Sequence, residues 1–441
     1  MTDDSNDDPF EAKRKRSSEK RKTEKATFVL SSGKDPISVQ FPSGYEPHTE
    51  DTSYRKDVPN ENYHIIGEGK YSYVIAAKLD YNHVEGKNSD TNSKPNMMHV
   101  TCKRYDLGQL KNTFDGYTRI RRELQICRLH RHENIVDFYE VFTEPAVGSP
   151  MFIYVVSERM NHSLAKYYEI LTTKKIEEVD VLHLGALLTQ ILRALSYLHQ
   201  RGIMHRNVSP MNIGINTGTF TVKLFDFGLA REINVNLDHS TNVETLHYYK
   251  AIEGLLREPY DMKIDIWAAA LVAIELLGLK LFWPSGTEKD VLELVRRRGA
   301  ENAIKDRVFE VLGVPTDRYK SIFSRPVFKE PCVSTLEKVL MNETKRKIKD
   351  KDQSEITGVN FRDLVTRMLN PDRQKRLSAD ECLKHPFLKA FNKTYQEKSV
   401  SSQPKTDDQF QKRNENDKNM VLKELKAGLT QLSFRPELSM P

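Results

Sequence analysis

Short runs of alternating apolar and polar positions follow one another between about residue 63 and residue 157. This period of two is typical of strands, which place successive side chains on opposite faces of a sheet. A single run with the helical period, Thr118 to Leu129, interrupts them. The pattern predicts one helix and five strands, the strands lying in YHIIGEGKYSYVIAAKLDY (63–81, two strands), MHVTCKRYDL (98–107), IVDFYEVF (135–142) and MFIYVVS (151–157).

After Asn161 the apolar period changes to three and four residues, which is the spacing of one face of a helix. Residues 181–199 follow it throughout, and the run from Trp267 to Trp283 is so apolar that it is predicted as a buried core helix. That run is shorter than the roughly 20 residues that span a bilayer, so we expect no membrane segment. A strand-rich part followed by a helix-rich part indicates a two-lobed α+β fold, with a small sheet lobe and a larger, mainly helical lobe.

The composition changes along the chain and predicts three regions. Residues 1–60 are rich in Asp, Ser, Lys and Pro and are expected to form a disordered basic arm. Residues 61–391 are the folded domain, and residues 392–441 are a mostly disordered tail. Within the tail a stripe of apolar residues predicts a short amphipathic helix that either docks back on the domain or binds a partner. The stripe consists of Val421, Leu422, Leu425, Leu429 and Leu432.

Charge and cysteine content narrow the class of protein. The 68 basic and 62 acidic residues leave a net charge of only +6, so we expect no direct nucleic-acid binding. Four scattered cysteines lack the paired spacing of zinc sites and indicate reduced thiols inside a cell.

The acidic start MTDDSNDDPF does not resemble a secretory signal. The basic cluster at residues 13–25 is either a nuclear import signal or a solvated charged tail. We therefore expect the protein in the nucleus and the cytoplasm.

The segment IGEGKYSYV (66–74) falls at the turn between the first two predicted strands. Gly67 and Gly69 carry no side chain, so their backbone amides can approach phosphate oxygens, and Val74 offers an apolar surface to a base. The alternative interpretation is a plain hairpin turn, because two glycines also suit a tight turn.

Four further residues have the chemistry of a phosphate and metal site. Lys103 stands in a predicted strand that can aim its ammonium group at phosphates, and Glu123, on the helix, can hold that lysine in an ion pair. Each of these two could otherwise be a surface charge. Asp226 and Asn212 can supply oxygen ligands to two Mg²⁺ positions. They belong to the segments LFDFGLA (224–230) and HRNVSPMNIGI (205–215).

In this order and spacing, these elements resemble the eukaryotic protein kinases over about residues 62–391. Further matches are AIE (251–253), IDIWAAALVAIELL from residue 264 and PDRQKRLSADECLKHPFL from residue 371. Within them Arg376 is predicted to pair with Glu253 as a structural contact. The segment VFEVLGVPTDRY (308–319) resembles the branch of cyclin-dependent and MAP kinases.

The resemblance implies the kinase fold, ATP and Mg²⁺ as cofactors, and a protein substrate or partner in signalling. It assigns the metal to Asn212 and Asp226 and gives His205 a structural role near Asp226. Ser157 is expected to line the nucleotide site, with Glu158 and Met160 offering backbone contacts to adenine. The full set implied for nucleotide binding is Ile66, Gly67, Glu68, Gly69, Ser72, Val74, Lys103, Ser157, Glu158 and Met160.

The catalytic loop departs from the family pattern H-R-D-x-K-x-x-N at two positions. Asn207 stands where the family has its catalytic Asp, and Ser209 stands where it has its Lys. An amide has no useful basicity, and losing a general base costs about 10² to 10⁴ in rate, or about 3 to 5 kcal/mol of barrier. The first hypothesis is therefore an ATP-binding pseudokinase or scaffold, with Asn207, Ser209, Lys103 and Glu123 at the catalytic positions.

Two alternatives remain open at this point. One is an active serine/threonine kinase in which Asn207 only orients the hydroxyl, and the other is an interaction module that uses no nucleotide. The activation segment also departs from the MAP kinase pattern, with Thr241-Asn242-Val243 in place of Thr-x-Tyr. Leu246 stands in place of a threonine, unless the neighbouring Thr245 takes that role through a one-residue shift. Arg206 could still pair with a phosphate in that segment.

Overall fold

The computed structural model forms two compact units, Met1–Tyr117 with Asp137–Arg159, and Thr118–Val136 with Met160–Pro441. The residues that the structure describes are 26–31, 36–41, 45–47, 65–69, 72–80, 97–110, 116–144, 152–173, 181–233, 247–284, 288–312, 336, 340, 354–389 and 391–392.

The first unit is built on an antiparallel sheet. Its elements are β1 (Ala26–Ser31), β2 (Pro36–Phe41), β3 (Tyr45–Pro47), β4 (Ile65–Glu68), β5 (Ser72–Asp80), β6 (Met97–Asp106), the short helix α1 (Leu107–Leu110), β7 (Phe138–Glu144) and β8 (Phe152–Glu158). The order in the sheet is β3-β5-β6-β8-β7, and β4 pairs with β5 as well. Because β3 and β4 pair with opposite ends of the same strand, the six segments described fill five positions. The predicted five-stranded sheet is confirmed.

Three strands lie inside the region predicted as a disordered arm. β1 and β2 form an antiparallel hairpin, and β3 adds to the sheet by pairing Glu46 with Lys78. The prediction for residues 1–60 is therefore wrong over 26–31, 36–41 and 45–47. The average composition of the arm is polar, but ATFVLS and PISVQF each concentrate β-branched and aromatic residues in six positions, which is enough for pairing.

Every second residue of the central strands lies in a fully buried cluster. Tyr154 stacks on Phe142 with their ring centroids 4.6 Å apart. Burying a side chain of this size contributes roughly 1.5–3 kcal/mol, so the alternation seen in the sequence stabilises this unit directly. The cluster consists of Ile75, Ala77, Leu79, Val100, Cys102, Tyr154 and Val156.

The second unit is mainly helical, as predicted, and the α+β fold class is confirmed. Short strands connect its helices. The helices are α2 (Gly116–Leu129), α3 (Leu164–Thr173), α4 (Val181–His199), α5 (Ile252–Leu256), α6 (Lys263–Leu276), α7 (Glu288–Arg298), α8 (Ala300–Leu312), α9 (Ser354–Met368) and α10 (Ala379–Lys384). The strands are β9 (His162–Ser163), β10 (Ile203–Met204), β11 (Ile213–Asn216), β12 (Thr221–Leu224) and β13 (Arg231–Glu232).

Helix α6 is the core of this unit, but it is shorter at its end than the sequence predicts. It begins at Lys263 and ends at Leu276, so the expectation of one helix up to Trp283 is wrong for the last seven residues. Gly278 adopts φ 69°, a conformation that ends helices, and Trp283 is 43% exposed. In the described part of the chain, none of the helices combines the length and apolar composition that a bilayer crossing requires.

The predicted pairing of Arg376 with Glu253 is confirmed. The two side chains form a buried bidentate ion pair, with Nη1 2.6 Å from Oε1 and Nη2 2.9 Å from Oε2. Arg376 also donates to the backbone carbonyls of Asn370 and Lys263. The guanidinium thus joins α5, the start of α6 and the loop before α10.

We expect Arg376→Met to lower the free energy of unfolding by about 3–5 kcal/mol, because Glu253 then keeps a buried charge without its partner. Urea unfolding of the purified chain measures this. The matched control is Lys375→Met, which removes only an exposed pair with Asp372 at 3.8 Å and should change stability by about 0–1 kcal/mol. Equal losses from the two variants would contradict the assignment.

His132 lies in the loop that follows α2 and is neutral in the folded protein. Its Nδ1 accepts a hydrogen bond from the backbone N–H of Asn134 at 3.0 Å. Burial lowers the pKa of His132 to about 4; Glu133 opposes this shift, and the positive charges of Arg193, Arg201 and Lys223 add to it. The folded state therefore disfavours the imidazolium form.

Folding stability should fall as the pH drops from about 6.5 to about 4, because the unfolded chain takes up the His132 proton first. His132→Asn keeps an acceptor for the Asn134 amide but removes the titration, so its stability should decline less steeply over the same pH range. Urea unfolding at pH 7.5, 5.5 and 4.5 measures both slopes. An unchanged slope in the variant would contradict the assigned pKa.

Candidate active site

Five of the predicted nucleotide-binding residues share one face of the sheet in the first unit. Residues paired directly across antiparallel strands project to the same side. The relevant pairs are Gly67 with Val74, Val74 with Lys103, Lys103 with Val155, Ser72 with Tyr105, and Thr101 with Ser157. The sheet register therefore gathers Gly67, Ser72, Val74, Lys103 and Ser157 on a common surface, although Gly67 and Ser157 are 90 positions apart.

Strands β4 and β5 approach each other closely at the glycine-rich segment. The amide of Gly69 donates to the carbonyl of Ser72 at 2.7 Å, and the pairing of β4 with β5 shifts register between Ile65 and Gly67. Ile66 is half-buried, whereas Glu68 and Gly69 are exposed. A side chain at Gly69 would begin 3.0 Å from Ser72 Oγ, so glycine allows this close turn. The Gly69 amide is thus engaged within the chain, while Glu68 and Gly69 are exposed to solvent.

Lys103 and Glu158 have distinct surroundings on the sheet. The half-buried Lys103 places its Nζ 5.1 Å from the ring centroid of Tyr105, on the surface defined above. Glu158, opposite Val100, projects to the other side of the sheet. Its backbone N–H donates to the Asp137 carbonyl at 2.8 Å, which fixes the end of β8.

In the second unit, the hairpin of β11 and β12 brings Asn212 and Asp226 together. Ile213 pairs with Leu224, so the residues flanking the two strands become neighbours. The amide of Phe225 donates to the Asn212 carbonyl at 3.1 Å. Asp226 follows in a left-handed conformation with φ 64°, which is uncommon for a residue other than glycine.

Asn207 connects these two residues. Its side-chain Nδ2 donates to Asp226 Oδ2 at 3.4 Å, and its backbone carbonyl accepts a hydrogen bond from Asn212 Nδ2 at 2.9 Å. The residue at the family's base position therefore directs its amide nitrogen at a carboxylate of the predicted metal site.

Ser209 is only 1% exposed. Its Oγ is buried and has no hydrogen-bond partner among the residues described. It precedes the 3₁₀ turn Pro210–Asn212 without capping it. A short neutral side chain in this place cannot supply the positive charge that the family's lysine brings to the transferring phosphoryl group.

His205 is a structural residue, as expected from the sequence. Its Nδ1 accepts a hydrogen bond from the backbone N–H of Asn207 at 3.3 Å. Its Nε2 therefore carries the proton and donates to the backbone carbonyl of Phe225 at 3.1 Å. Burial lowers the pKa of His205, although the charges of Asp265 and Asp226 oppose this shift. Both ring nitrogens are thus engaged in holding the loop.

Asp265 is a residue of the site that the sequence analysis missed. One of its oxygens accepts from the Arg206 amide at 2.8 Å, and the other accepts from the His205 amide at 2.8 Å and lies 3.0 Å from His199 Nε2. Burial alone would raise the pKa of Asp265, but these hydrogen bonds and the nearby histidines outweigh it and lower the pKa. The available signal was a lone carboxylate near the start of the apolar run IDIWAAALVAIELL.

Arginine side chains concentrate positive charge beside the catalytic loop. Arg206 donates to the Leu229 carbonyl and Arg122 to the Gly228 carbonyl, each at 3.2 Å. Burial lowers the pKa of Arg206; Tyr260 opposes this shift, and the charges of Arg231 and Arg122 add to it. The activation-segment residues discussed above, 241–246, lie outside the described residues.

Glu123 and Met160 also belong to the second unit, and each lies near a glycine of that unit. Glu123 is 5% exposed, with Oε2 3.8 Å from the point where a side chain on Gly228 would begin. Met160 lies against Gly214 of β11. Lys103 belongs to the other unit, and its ion pair with Glu123 stays a prediction.

The oxygen donors near the loop fit magnesium that arrives with a nucleotide. Mg²⁺ is usually held by one or two carboxylates together with substrate phosphates. Asp226 offers one carboxylate, and the neighbouring residue Asn212 offers a side-chain amide oxygen. Among the described residues, no group of three or more His, Cys, Asp or Glu side chains could hold a metal ion without such phosphates.

Comparison with known proteins agrees with this geometry. The sequence matches the protein kinase domain over residues 61–388. It is 26% identical over 369 residues to mitogen-activated protein kinase spk1 of Schizosaccharomyces pombe, covering 81% of this chain and 86% of that protein. It is 27% identical over 344 residues to stress-activated protein kinase jnk-1 of Caenorhabditis elegans, covering 75% and 68%. It is 30% identical over 276 residues to mitogen-activated protein kinase HOG1 of Colletotrichum orbiculare, covering 62% and 68%.

The chain belongs to the protein kinase family. Within that family its relatives place it in the MAP kinase branch. The resemblance based on the motifs is confirmed for the family and the branch. Protein kinase domains in general use ATP and Mg²⁺.

We expect Gly214→Ala to displace Met160, because the new Cβ would lie 2.4 Å from Met160 Cγ and 2.7 Å from its Cβ. The crowding should destabilise the protein by about 1–3 kcal/mol. Thermal unfolding measures the loss. Gly218→Ala is the matched control, since nothing lies within 4 Å of its added Cβ. Equal stability of the two variants would show that Met160 does not pack on β11.

Proposed function

We propose that this MAP-kinase-type protein binds ATP with Mg²⁺, transfers the γ-phosphoryl group poorly or not at all, and acts in signalling by binding partner proteins. The observation that carries the proposal is the orientation of Asn207. At the position where the family has its base, an amide nitrogen faces Asp226 at 3.4 Å. The acceptor hydroxyl of a substrate therefore meets no carboxylate there.

The nucleotide-binding roles follow the residues grouped above. Val74 and Ser157 would contact the base and its surroundings, and Lys103, oriented by Glu123, would contact phosphates. The backbone at Glu158 and Met160 would bind adenine. Asp226 and Asn212 would hold the magnesium ion, which supplies charge neutralisation to the phosphates. The hairpin residues Ile66, Gly67, Glu68, Gly69 and Ser72 would cover the phosphates with their backbone.

In the described part of the catalytic loop, neither His205 nor Ser209 can substitute for the missing base. His205 is close in sequence, but both of its ring nitrogens are occupied. One accepts a hydrogen bond from the backbone N–H of Asn207, and the other donates to the backbone carbonyl of Phe225. Ser209 is buried and neutral. Losing base assistance alone costs about 10² to 10⁴ in rate, and the missing lysine charge adds to that penalty. These two changes support binding without efficient transfer.

The partners that fit this role are proteins of an intracellular signalling pathway. The relatives are named as mitogen-activated and stress-activated protein kinases, and kinases of this type act on other proteins. Access to the nucleus through residues 13–25 belongs to the same proposal, although that stretch lies outside the described residues.

A slow but active serine/threonine kinase is the second candidate. Phosphoryl transfer depends mostly on positioning and electrostatics, so a site can tolerate part of the loss of its base. The observation in its favour is that the shared sheet face with Lys103 and the proximity of Asn212 to Asp226 are both present.

A transfer assay with radiolabelled ATP, run on the purified full chain with a generic basic protein as acceptor, separates the two candidates. We expect the rate of the natural chain to equal that of Lys103→Met. Asn207→Asp, alone or with Ser209→Lys, should raise the rate at least about tenfold, because it returns the base. Robust transfer by the natural chain that Lys103→Met abolishes would overturn the proposal in favour of the active kinase.

Thermal unfolding with and without Mg-ATP tests the binding half of the proposal. A ligand present at about 100 times its dissociation constant adds about 2.7 kcal/mol of stability. We expect a clear rise in melting temperature for the natural chain and a smaller one for Lys103→Met. No shift at millimolar Mg-ATP would favour an interaction module that uses no nucleotide.

A further inference from the structure

The hydrogen bond from Asn207 to Asp226 has a consequence for the metal ion as well as for catalysis. A carboxylate can only accept, so the atom of Asn207 that faces Asp226 Oδ2 at 3.4 Å is the amide nitrogen. The backbone of Asn207 is held as well, since its main-chain carbonyl accepts a hydrogen bond from Asn212 Nδ2 at 2.9 Å. Asp226 thus meets a hydrogen-bond donor in a place where a carboxylate at position 207 would bring a second negative charge.

The charge balance of the site differs accordingly. Two carboxylates with oxygens about this far apart repel each other unless a cation lies near both. Here the three residues Asn207, Asn212 and Asp226 supply one carboxylate and two side-chain amides. The Asn207 side-chain amide donates a hydrogen bond to Asp226, which partly stabilises that carboxylate without a cation. The phosphates of a nucleotide would also meet one negative charge fewer. Both effects reduce the need for a divalent ion.

We propose that Asn207 is a positioning residue that makes nucleotide binding by this protein nearly independent of Mg²⁺. This inference rests on the proposed function, since it requires the chain to bind ATP or ADP. It concerns a property beyond catalytic impairment, because a protein that has merely lost its base could still require the metal to bind nucleotide.

Isothermal titration of ADP into the full chain, in excess Mg²⁺ and in excess EDTA, tests the proposal. For the natural chain we expect the two dissociation constants to agree within about threefold. For Asn207→Asp the value in EDTA should exceed the value in Mg²⁺ by about tenfold or more, because two carboxylates then face the phosphates without a cation. Asn216→Asp is the matched control. The side-chain oxygen of Asn216 accepts a hydrogen bond from the backbone N–H of Asn161, and an aspartate oxygen can do the same.

A second measurement uses the metal alone. In EDTA without nucleotide, Asn207→Asp should melt at a lower temperature than the natural chain, and millimolar Mg²⁺ should recover most of the difference. The natural chain and Asn216→Asp should show no such recovery. This readout depends on neither catalysis nor nucleotide.

The outcomes are distinct. If the natural chain binds ADP only with Mg²⁺, or if Asn207→Asp does not change the metal dependence, the inference is wrong while the proposed function stands. If ADP binds under neither condition, both are wrong. Binding in EDTA by the natural chain, together with strong metal dependence in Asn207→Asp alone, supports the inference.

Discussion

The catalytic loop depends on one buried carboxylate, that of Asp265 in helix α6. It accepts hydrogen bonds from the backbone N–H groups of His205 and Arg206, and it lies 3.0 Å from His199 Nε2. Arg206 has a positive φ, which costs free energy unless neighbouring contacts impose it. These hydrogen bonds impose it, and they fix the direction in which the chain continues toward Asn207. Apart from Lys263 at its start and Glu275 near its end, the rest of helix α6 is apolar and buried, so the anchor itself has little freedom to move.

The contacts that maintain the loop are separate from the positions that changed. Asp265 binds backbone, His205 joins the loop to Phe225, and the pair of Arg376 with Glu253 holds the surrounding helices. None of them uses the side chain of Asn207 or Ser209. The kinase architecture therefore does not depend on the side chains at positions 207 and 209, where this chain departs from the family pattern. The side chain of Asn207 instead contacts Asp226.

The sequence predicted much of the architecture because local periodicity and burial agree. Helix α4 coincides with the predicted run 181–199, and the alternation in β5, β6 and β8 places a fully buried cluster on one face. The strands β1, β2 and β3 were not predicted, because the polar average composition of residues 1–60 hides short apolar runs such as ATFVLS and PISVQF. Where an apolar run passed through Gly278, the end of the helix was misplaced, because a backbone conformation and not hydrophobicity ends it.

The residue types and their spacing by themselves determined the family, the pairing of Arg376 with Glu253, and the loss of charge at positions 207 and 209. These follow from the chain because each depends on which residue stands at a position within a motif. Only the tertiary structure showed that Asp265 holds the loop and that the amide of Asn207 faces Asp226. Those facts depend on the register of β11 with β12 and on the packing of α6, which bring together groups far apart in sequence and set the direction of each side chain.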